Sequence, residues 1–143
     1  MNDNKYAVLG DIHSNWEALD VVLKDAHEQG VGSYICVGDI VGYNANPAEC
    51  LERIRALKCV CVRGNHDHYC SHDEDLSSFH PLAAEVVNWT RQQLNEEQRA
   101  WLKQYGEGSR AVALGLLNFV ARRFHLDALR PPPHRGGDAA RET

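Results

Sequence analysis

The stretch Val62-Arg63-Gly64-Asn65-His66-Asp67 decides the fold, because it connects the end of an apolar run to a group of polar side chains. The run at residues 59–62 predicts a short buried strand. In α/β folds, residues that bind ligands collect where parallel strands end. The stretch therefore predicts a strand that delivers Asn65 and His66 to a site, on a turn led by Gly64.

Two earlier segments carry the same pattern of an apolar run followed by glycine and polar side chains. Residues 6–9 lead into Gly10-Asp11-Ile12-His13, and residues 34–37 lead into Gly38-Asp39. Short apolar runs bounded by glycine are typical of buried strands. The three segments together predict three strands, each of which ends in potential ligands.

Helical spacing of apolar residues fills the two intervals between these strands. One helix is predicted over residues 16–27, with Asn15 or Ser14 as its N-cap, and another over residues 47–57, with Pro47 in its first turn. Strands that alternate with helices form parallel sheets joined by right-handed crossovers. All three polar loops are therefore expected at one edge of the sheet.

The region after residue 67 has weaker patterns. Residues 68–80 predict a flexible surface loop in which His68, His72 and His80 face solvent. A helix is expected over residues 81–94, and the spacing of Asn95 and Gln98 predicts a capping box that starts another helix. Three tryptophans at helical spacing are predicted to lie in the core: Trp16, Trp89 and Trp101.

Composition indicates a single globular domain with an acidic main body. The chain has 143 residues, of which 43% are hydrophobic and 24% charged. Residues 1–105 hold 16 acidic and 9 basic residues, a net charge of −7, which argues against a protein that coats nucleic acid. No apolar run approaches the ~20 residues that span a bilayer, and no signal peptide is evident, so we expect a cytoplasmic protein without membrane partners.

The five cysteines do not predict a disulfide framework, because their number is odd and the expected location is reducing. Cys36, Cys59 and Cys61 lie in strand-like runs, where a thiol behaves as a small apolar side chain. The spacing Cys59-x-Cys61 also places two thiols on one face of a strand, as a zinc site would require. No second pair completes such a site, so we favour the core interpretation.

Polar residues at the three strand ends form the candidate site: Asp11, His13, Asp39, Asn65 and His66. Such ligands suit divalent first-row metals, among them Mn²⁺, Fe²⁺, Zn²⁺ and Ni²⁺. Two ions about 3.5–4 Å apart hold a phosphoryl group and lower the pKa of a bridging water. Asp and Asn are also favoured in turns and caps for local reasons, but that explanation does not account for their placement at three strand ends.

The spacing suggests a role for each of these side chains. Asp11 and His13 are close enough in one loop to bind a single ion, and the Asp39 carboxylate is suited to bridge two. His66 is then placed to protonate the leaving oxygen or to stabilise the phosphoryl charge, with Asp67 or another carboxylate to orient its ring.

Gly10-Asp11-Ile12-His13, Val37-Gly38-Asp39 and Gly64-Asn65-His66-Asp67 resemble the first three signature motifs of the calcineurin-like metallophosphoesterases. Residues 40–50 resemble a bacterial branch of that superfamily, and the match covers roughly residues 5–105. The resemblance implies a four-layer α/β/β/α fold with a dinuclear site. By it, Asp11 and His13 hold the first ion, Asp39 bridges, Asn65 holds the second, and His66 is the catalytic histidine.

The sequence departs from this family after about residue 106. The family completes its site with histidines in a His-Gly loop and a Gly-His-x-His motif, and neither form occurs near His125 or His134. We therefore expect a metallophosphoesterase domain at residues 1–106, the N-terminal part of the fold, and an atypical tail at residues 107–143 that is disordered or non-native. A truncation or reading-frame change would explain the tail, and it would expose a sheet face that missing strands should cover.

The resemblance predicts hydrolysis of a phosphomonoester or phosphodiester by water activated between two divalent ions. Mn²⁺ is the expected ion, with Fe, Zn or Ni as alternatives. Because the C-terminal histidines are missing, activity is expected to be impaired. A catalytically inactive remnant that binds metal weakly is the alternative. A doubly wound nucleotide-binding domain is a third interpretation, which the lack of a glycine-rich phosphate loop disfavours.

Overall fold

A computed structural model of the protein describes residues 5–105 and residue 115. Its centre is a parallel sheet of three strands in the order β1-β2-β3, with β1 at Tyr6–Leu9, β2 at Ser33–Cys36 and β3 at Val60–Cys61. Leu9 lies beside Cys36, and Cys36 lies beside Cys61. The parallel direction confirms the predicted arrangement, and it brings all three strand ends to one edge.

Two helices make the crossovers between the strands, as the apolar spacing predicts. Helix α1 spans Trp16–Glu28 and helix α2 spans Pro47–Leu57. The Asn15 side chain accepts a hydrogen bond from the Ala18 amide at 3.1 Å, so Asn15 is the N-cap of α1. Lys58 ends α2 with a left-handed backbone, which turns the chain into β3.

Three further helices follow β3. Helix α3 spans Asn65–Ser71, α4 spans Pro81–Gln93 and α5 spans Glu96–Tyr105. The predicted capping box of α5 is confirmed, because the Gln98 amide donates to Asn95 Oδ1 at 2.8 Å and the Asn95 amide donates to Gln98 Oε1 at 3.0 Å.

The prediction of a flexible loop over residues 68–80 is wrong for its first part, which belongs to α3. Cys70 and Ser71 are fully buried, and α3 contacts both α4 and α5. Arg91 of α4 donates to the Tyr69 carbonyl at 3.0 Å, and Arg99 of α5 donates to the Ser71 carbonyl at 3.2 Å. Tertiary hydrogen bonds thus hold this short, polar segment in a helical conformation, although its sequence alone does not predict a helix.

The core lies between the sheet and the helices. Its fully buried members include Cys36, Ile40, Cys50, Leu51 and Leu102. Two of the predicted core tryptophans, Trp16 and Trp101, are only partly buried. The prediction is wrong for Trp89, which is 40% exposed on α4.

The opposite face of the sheet is apolar, and most of its described residues are exposed. Val8, Ile35 and Val60 share this face by register; Val8 and Val60 are 60% and 54% exposed, whereas Ile35 between them is buried. Tyr6 and Val37 extend the exposed surface. We name the four exposed residues the open sheet face: Tyr6, Val8, Val37 and Val60.

The core interpretation of the strand cysteines is confirmed for Cys36, which is fully buried, and only in part for Cys59 and Cys61, which pack against the core but are partly buried. Cys59 Sγ and Cys61 Sγ lie 3.3 Å apart, so the two do share a face. Across the described ranges, no third His, Cys, Asp or Glu forms a compact metal-ligand group with them.

The described residues correspond to the N-terminal part of the fold that the resemblance implies. The second sheet of that fold has no counterpart among residues 5–105, and the predicted tail at residues 107–143 lies outside the described residues apart from residue 115. In the part of the chain that the structure describes, no helix has the length and apolar character needed to cross a bilayer.

Candidate metal centre

Backbone hydrogen bonds bring the first two strand-end loops together at the edge of the sheet. The His13 amide donates to the Asp39 carbonyl at 2.9 Å, and the Ser14 amide donates to the Ile40 carbonyl at 2.9 Å. The Asp11 amide donates to the Gly38 carbonyl at 3.3 Å. These bonds continue the β1–β2 pairing beyond the strands, so the residues that follow each strand lie side by side.

The backbone at the candidate ligands is left-handed. Asp11, His13 and Asp39 have φ values of 48°, 46° and 53°. Such values are uncommon outside glycine, and they concentrate at functional sites where the surrounding structure enforces them. Here the loop hydrogen bonds supply that constraint, and the unusual turns aim the three side chains at a common point.

The side chains of Asp11, His13 and Asp39 form a group with the chemistry of a metal site. One ligand atom from each lies within 4.8 Å of the other two. Two carboxylates and one imidazole suit a divalent first-row ion, so the residues present fit the metal that the sequence predicts.

The ring of His13 is oriented for this purpose. Its Nδ1 lies 3.3 Å from the Val41 carbonyl, and its Nε2 lies 3.5 Å from Asp11 Oδ1. A histidine that donates one ring N–H to a backbone carbonyl keeps the other nitrogen for a metal. The Val41 carbonyl therefore favours the tautomer in which Nε2 is free to coordinate.

The third loop approaches Asp39 through Gly64. A Cβ atom at Gly64 would collide with the Asp39 side chain, so only glycine fits there. The amide of His66 then donates to Asp39 Oδ1 at 2.9 Å. Asn65 is the exposed first residue of α3, directly between these two contacts. The structure thus brings the backbone of all three predicted loops to one place.

The ring of His66 lies against two other aromatic rings. Its centroid is 4.9 Å from that of His13 and 4.5 Å from that of Tyr43. The Nδ1 atom is buried and has no hydrogen-bond partner, and a Cβ atom at Gly42 would lie 2.7 Å from it. Burial, and then the nearby His13, lower the pKa of His66.

Asp67 has a role that the sequence does not reveal. Its side chain is completely buried; Oδ1 accepts hydrogen bonds from the amides of Ile40 at 2.8 Å and Val41 at 3.1 Å, and Oδ2 accepts one from Gly64 at 3.1 Å. Burial raises the pKa of this carboxyl to about 6. These bonds go to the backbone of the second and third loops, whereas we expected Asp67 or another carboxylate to orient the ring of His66.

A partial signal for this role exists in the sequence. Asp67 is the third residue of α3, a position from which an acidic side chain reaches back to the N-cap amide. That local rule predicts the bond to Gly64. It cannot predict the bonds to Ile40 and Val41, which are 27 and 26 residues away.

Arg63 makes a hydrogen bond to helix α5. Its Nη1 donates to the Lys103 carbonyl on α5 at 3.1 Å. Of the histidines after α3 begins, His68 lies 2.8 Å from Glu74 and stacks on His72, and His80 is exposed. Among the His, Cys, Asp and Glu side chains of the described residues, those of Asp11, His13 and Asp39 form the group with the spacing of a metal site.

Comparisons with known proteins agree with this geometry. The sequence profile of the calcineurin-like phosphoesterases matches residues 5–136. An uncharacterized protein of Methanocaldococcus jannaschii is 46% identical over 96 residues, which are 67% of this chain and 40% of the relative. The chain therefore spans well under half the length of this relative.

Two solved structures have a similar fold. The crystal structure of a metallophosphoesterase from Sphaerobacter thermophilus has 38% identity and a TM-score of 0.58, over 68% of this chain and 40% of that one. A putative diadenosine tetraphosphatase has 21% identity and a TM-score of 0.51, over 72% and 44% of the two chains, and supports the fold alone. The three loops converge on one candidate metal group, and the family profile matches most of the chain. The chain therefore belongs to the calcineurin-like phosphoesterases.

Proposed function

We propose that this chain carries the N-terminal half of a metal-dependent phosphoesterase site, which acts on phosphate esters. The observation that carries the proposal is the group formed by Asp11, His13 and Asp39, whose ligand atoms lie within 4.8 Å of one another. Their combined negative charge attracts divalent cations and would repel a phosphate in the absence of metal. The family match supports the same chemistry.

Each loop contributes a distinct function to the proposed site. Asp11 and His13 would hold one ion, Asp39 would be shared, and Asn65 would offer a neutral oxygen to a second ion. When bound, two such ions neutralise phosphoryl charge and supply a nucleophile from water at neutral pH. Mn²⁺ is the ion we propose, because the carboxylate and amide oxygens are hard ligands and the imidazole is tolerated by the same ion.

His66 is proposed as the residue that contacts the phosphoryl group or the leaving oxygen. Its buried Nδ1 lies against Gly42, which leaves Nε2 as the nitrogen that can reach a ligand. The hydrogen bond from its amide to Asp39 ties its position to that of the shared metal ligand. A histidine held this way donates a hydrogen bond to a phosphate oxygen without a change in backbone position.

A second candidate function is a remnant that binds one ion weakly and does not turn over substrate. It is favoured by the sequence after Gly106, which contains neither the His-Gly nor the Gly-His-x-His form. It is also favoured because, among the His, Cys, Asp and Glu side chains of the described residues, one compact group of three has the spacing of a metal site. Removing the residues that hydrogen-bond to metal ligands typically lowers metal affinity or activity by about 10–100-fold. Loss of the ligands themselves should therefore lower metal affinity at least as much.

The experiment measures Mn²⁺ binding by calorimetry and hydrolysis of an aryl phosphate, before and after treatment with EDTA. We expect Asp39→Asn to weaken Mn²⁺ binding by at least about 10-fold, because asparagine keeps an acceptor for the His66 amide but removes the shared charge. Asp25→Asn is the matched control, since Asp25 is an exposed residue of α1 away from the site.

The two candidate functions give different results in this experiment. Binding of two Mn²⁺ ions with turnover that EDTA and Asp39→Asn abolish would establish the enzyme and exclude the remnant. Binding of one ion without turnover would establish the remnant. Mn²⁺ binding that is equal in Asp39→Asn, Asp25→Asn and the wild type would contradict both.

A further inference from the structure

A cavity of about 480 Å³ lies beside the candidate metal centre, between the loop after β2 and helix α4. Its lining consists of Tyr43, Asn44, Ala45, Glu85, Val86 and Trp89. Its volume is within the range of small-molecule sites. Tyr43 belongs to both places, because it lines the cavity and its ring contacts the rings of His13 and His66.

Tyr43 is held in an unusual conformation at this junction. Its φ is +63°, which is an outlier for a bulky side chain, and yet its side chain is 56% exposed. The ring lies 4.9 Å from His13 and 4.5 Å from His66, centroid to centroid. A backbone conformation that is unfavourable for tyrosine thus places an aromatic ring at the border of the site, and such conformations concentrate where function requires them.

Trp89 provides the second aromatic wall from a different element. It lies on α4 and is 40% exposed, although helical spacing predicts that it belongs to the core. Large aromatic side chains that remain exposed around a cavity provide flat surfaces on which planar rings stack. The apolar side chains of Ala45 and Val86 complete the lining between the two aromatics.

The charge of the cavity lining indicates which chemical groups it would bind. Glu85 is the charged residue in its lining, so the cavity disfavours a second phosphate or a carboxylate. The same carboxylate accepts hydrogen bonds from ring or amino N–H groups. An uncharged planar ring therefore fits the cavity better than any anion.

We propose that this cavity binds a planar aromatic group of the phosphate ester, while the phosphate itself lies at the candidate metal centre. This inference rests on the proposed function and specifies its substrate class. Tyr43 and Trp89 act as the walls that select esters of aromatic rings, whether a simple aryl group or a nucleobase.

The test compares the affinities of phosphonates, whose P–C bond is not hydrolysed, in the presence of Mn²⁺. Phenylphosphonate, methylphosphonate and a 5′-phosphonate analogue of adenosine monophosphate are titrated into the full chain by calorimetry. We expect both aromatic probes to bind more tightly than methylphosphonate, by about 10-fold, because stacking on aromatic side chains contributes on this scale. A larger preference for the adenosine probe would indicate a nucleobase, and a preference for phenyl would indicate an aryl ester.

Two variants of α4 test the contribution of Trp89. Trp89→Ala should reduce the preference for phenylphosphonate over methylphosphonate by about 10-fold. Leu82→Ala is the matched control, because Leu82 is an exposed apolar residue of the same helix outside the cavity, and it should keep the wild-type preference. Circular dichroism establishes that both variants are folded.

Equal affinity of the wild type for phenylphosphonate and methylphosphonate, or a preference that survives in Trp89→Ala, would overturn the aromatic cavity and leave the proposed phosphoesterase site intact. If none of the phosphonates binds in the presence of Mn²⁺, both the cavity and the proposed function are overturned.

Discussion

At the scale of single residues, Asp67 connects the second and third strand-end loops, which carry Asp39 and Asn65. Its two oxygens accept amide hydrogen bonds from Ile40 and Val41 in one loop and from Gly64 in the other. Amides that are buried without a partner destabilise a fold by about 1–3 kcal/mol each. The buried carboxylate therefore stabilises the relative positions of Asp39 and His66, although it does not contact a substrate.

We expect Asp67→Ala to lower the free energy of unfolding by about 2–4 kcal/mol, because it leaves two buried amides and one partly buried amide without an acceptor. Urea unfolding at pH 8, well above the pKa of about 6, keeps the wild-type carboxyl ionised. Asp75→Ala is the control, since Asp75 is exposed and accepts hydrogen bonds from nearby Ser77. A loss in Asp67→Ala no larger than that in Asp75→Ala would show that the amides find other partners.

At the scale of elements, the position of α3 relative to β2 depends on a contact between two glycines. Gly38 has a φ of +101°, and a Cβ atom there would lie 2.5 Å from the Gly64 amide nitrogen. The strand-end loops can approach this closely only because neither residue has a side chain. The same approach lets the His66 amide reach Asp39 Oδ1.

The variant Gly38→Ala should be destabilised by at least about 2 kcal/mol, since it combines left-handed strain with a clash against backbone. Chemical unfolding of the metal-free chain measures this change. Gly32→Ala is the matched control, because a Cβ atom at Gly32 meets nothing within 4 Å, and we expect its stability to match or slightly exceed the wild type. Wild-type stability in Gly38→Ala would contradict the role assigned to the glycine contact.

At the scale of the whole molecule, the sheet is covered by helices on one side and has an apolar surface on the other. Val8 and Val60 are 60% and 54% exposed on the open sheet face, and Tyr6 and Val37 extend it. Contiguous apolar surface of this kind marks an interaction site or promotes association.

If this face promotes association, Val60→Lys should shift the chain towards the monomer, because a charge would have to be buried in any contact formed there. Sedimentation velocity over a range of protein concentrations measures the distribution of species. Val21→Lys introduces the same charge at a 65% exposed valine on α1 and should leave the distribution at its wild-type value. A monomeric wild type at all concentrations would show that the open sheet face does not drive self-association.

The sequence by itself determined the order of the elements and the identity of the candidate ligands. Apolar runs bounded by glycine identified β1, β2 and β3, and Asn15 and Pro47 identified the helix starts, because these signals depend only on neighbouring residues. The parallel pairing followed from that order, and it predicted that Asp11, His13 and Asp39 would meet.

Only the tertiary structure decided how these residues are held and what surrounds them. The contact of Gly38 with Gly64, the bonds of Asp67 to a loop 26 and 27 residues away, and the contact between the Tyr43 and His66 rings all join distant parts of the chain. Local propensity contains no information on such contacts, because they exist only after the strands have paired. For the same reason α3 and the exposure of Trp89 were predicted incorrectly: packing against neighbouring elements, and not the local pattern, determines both.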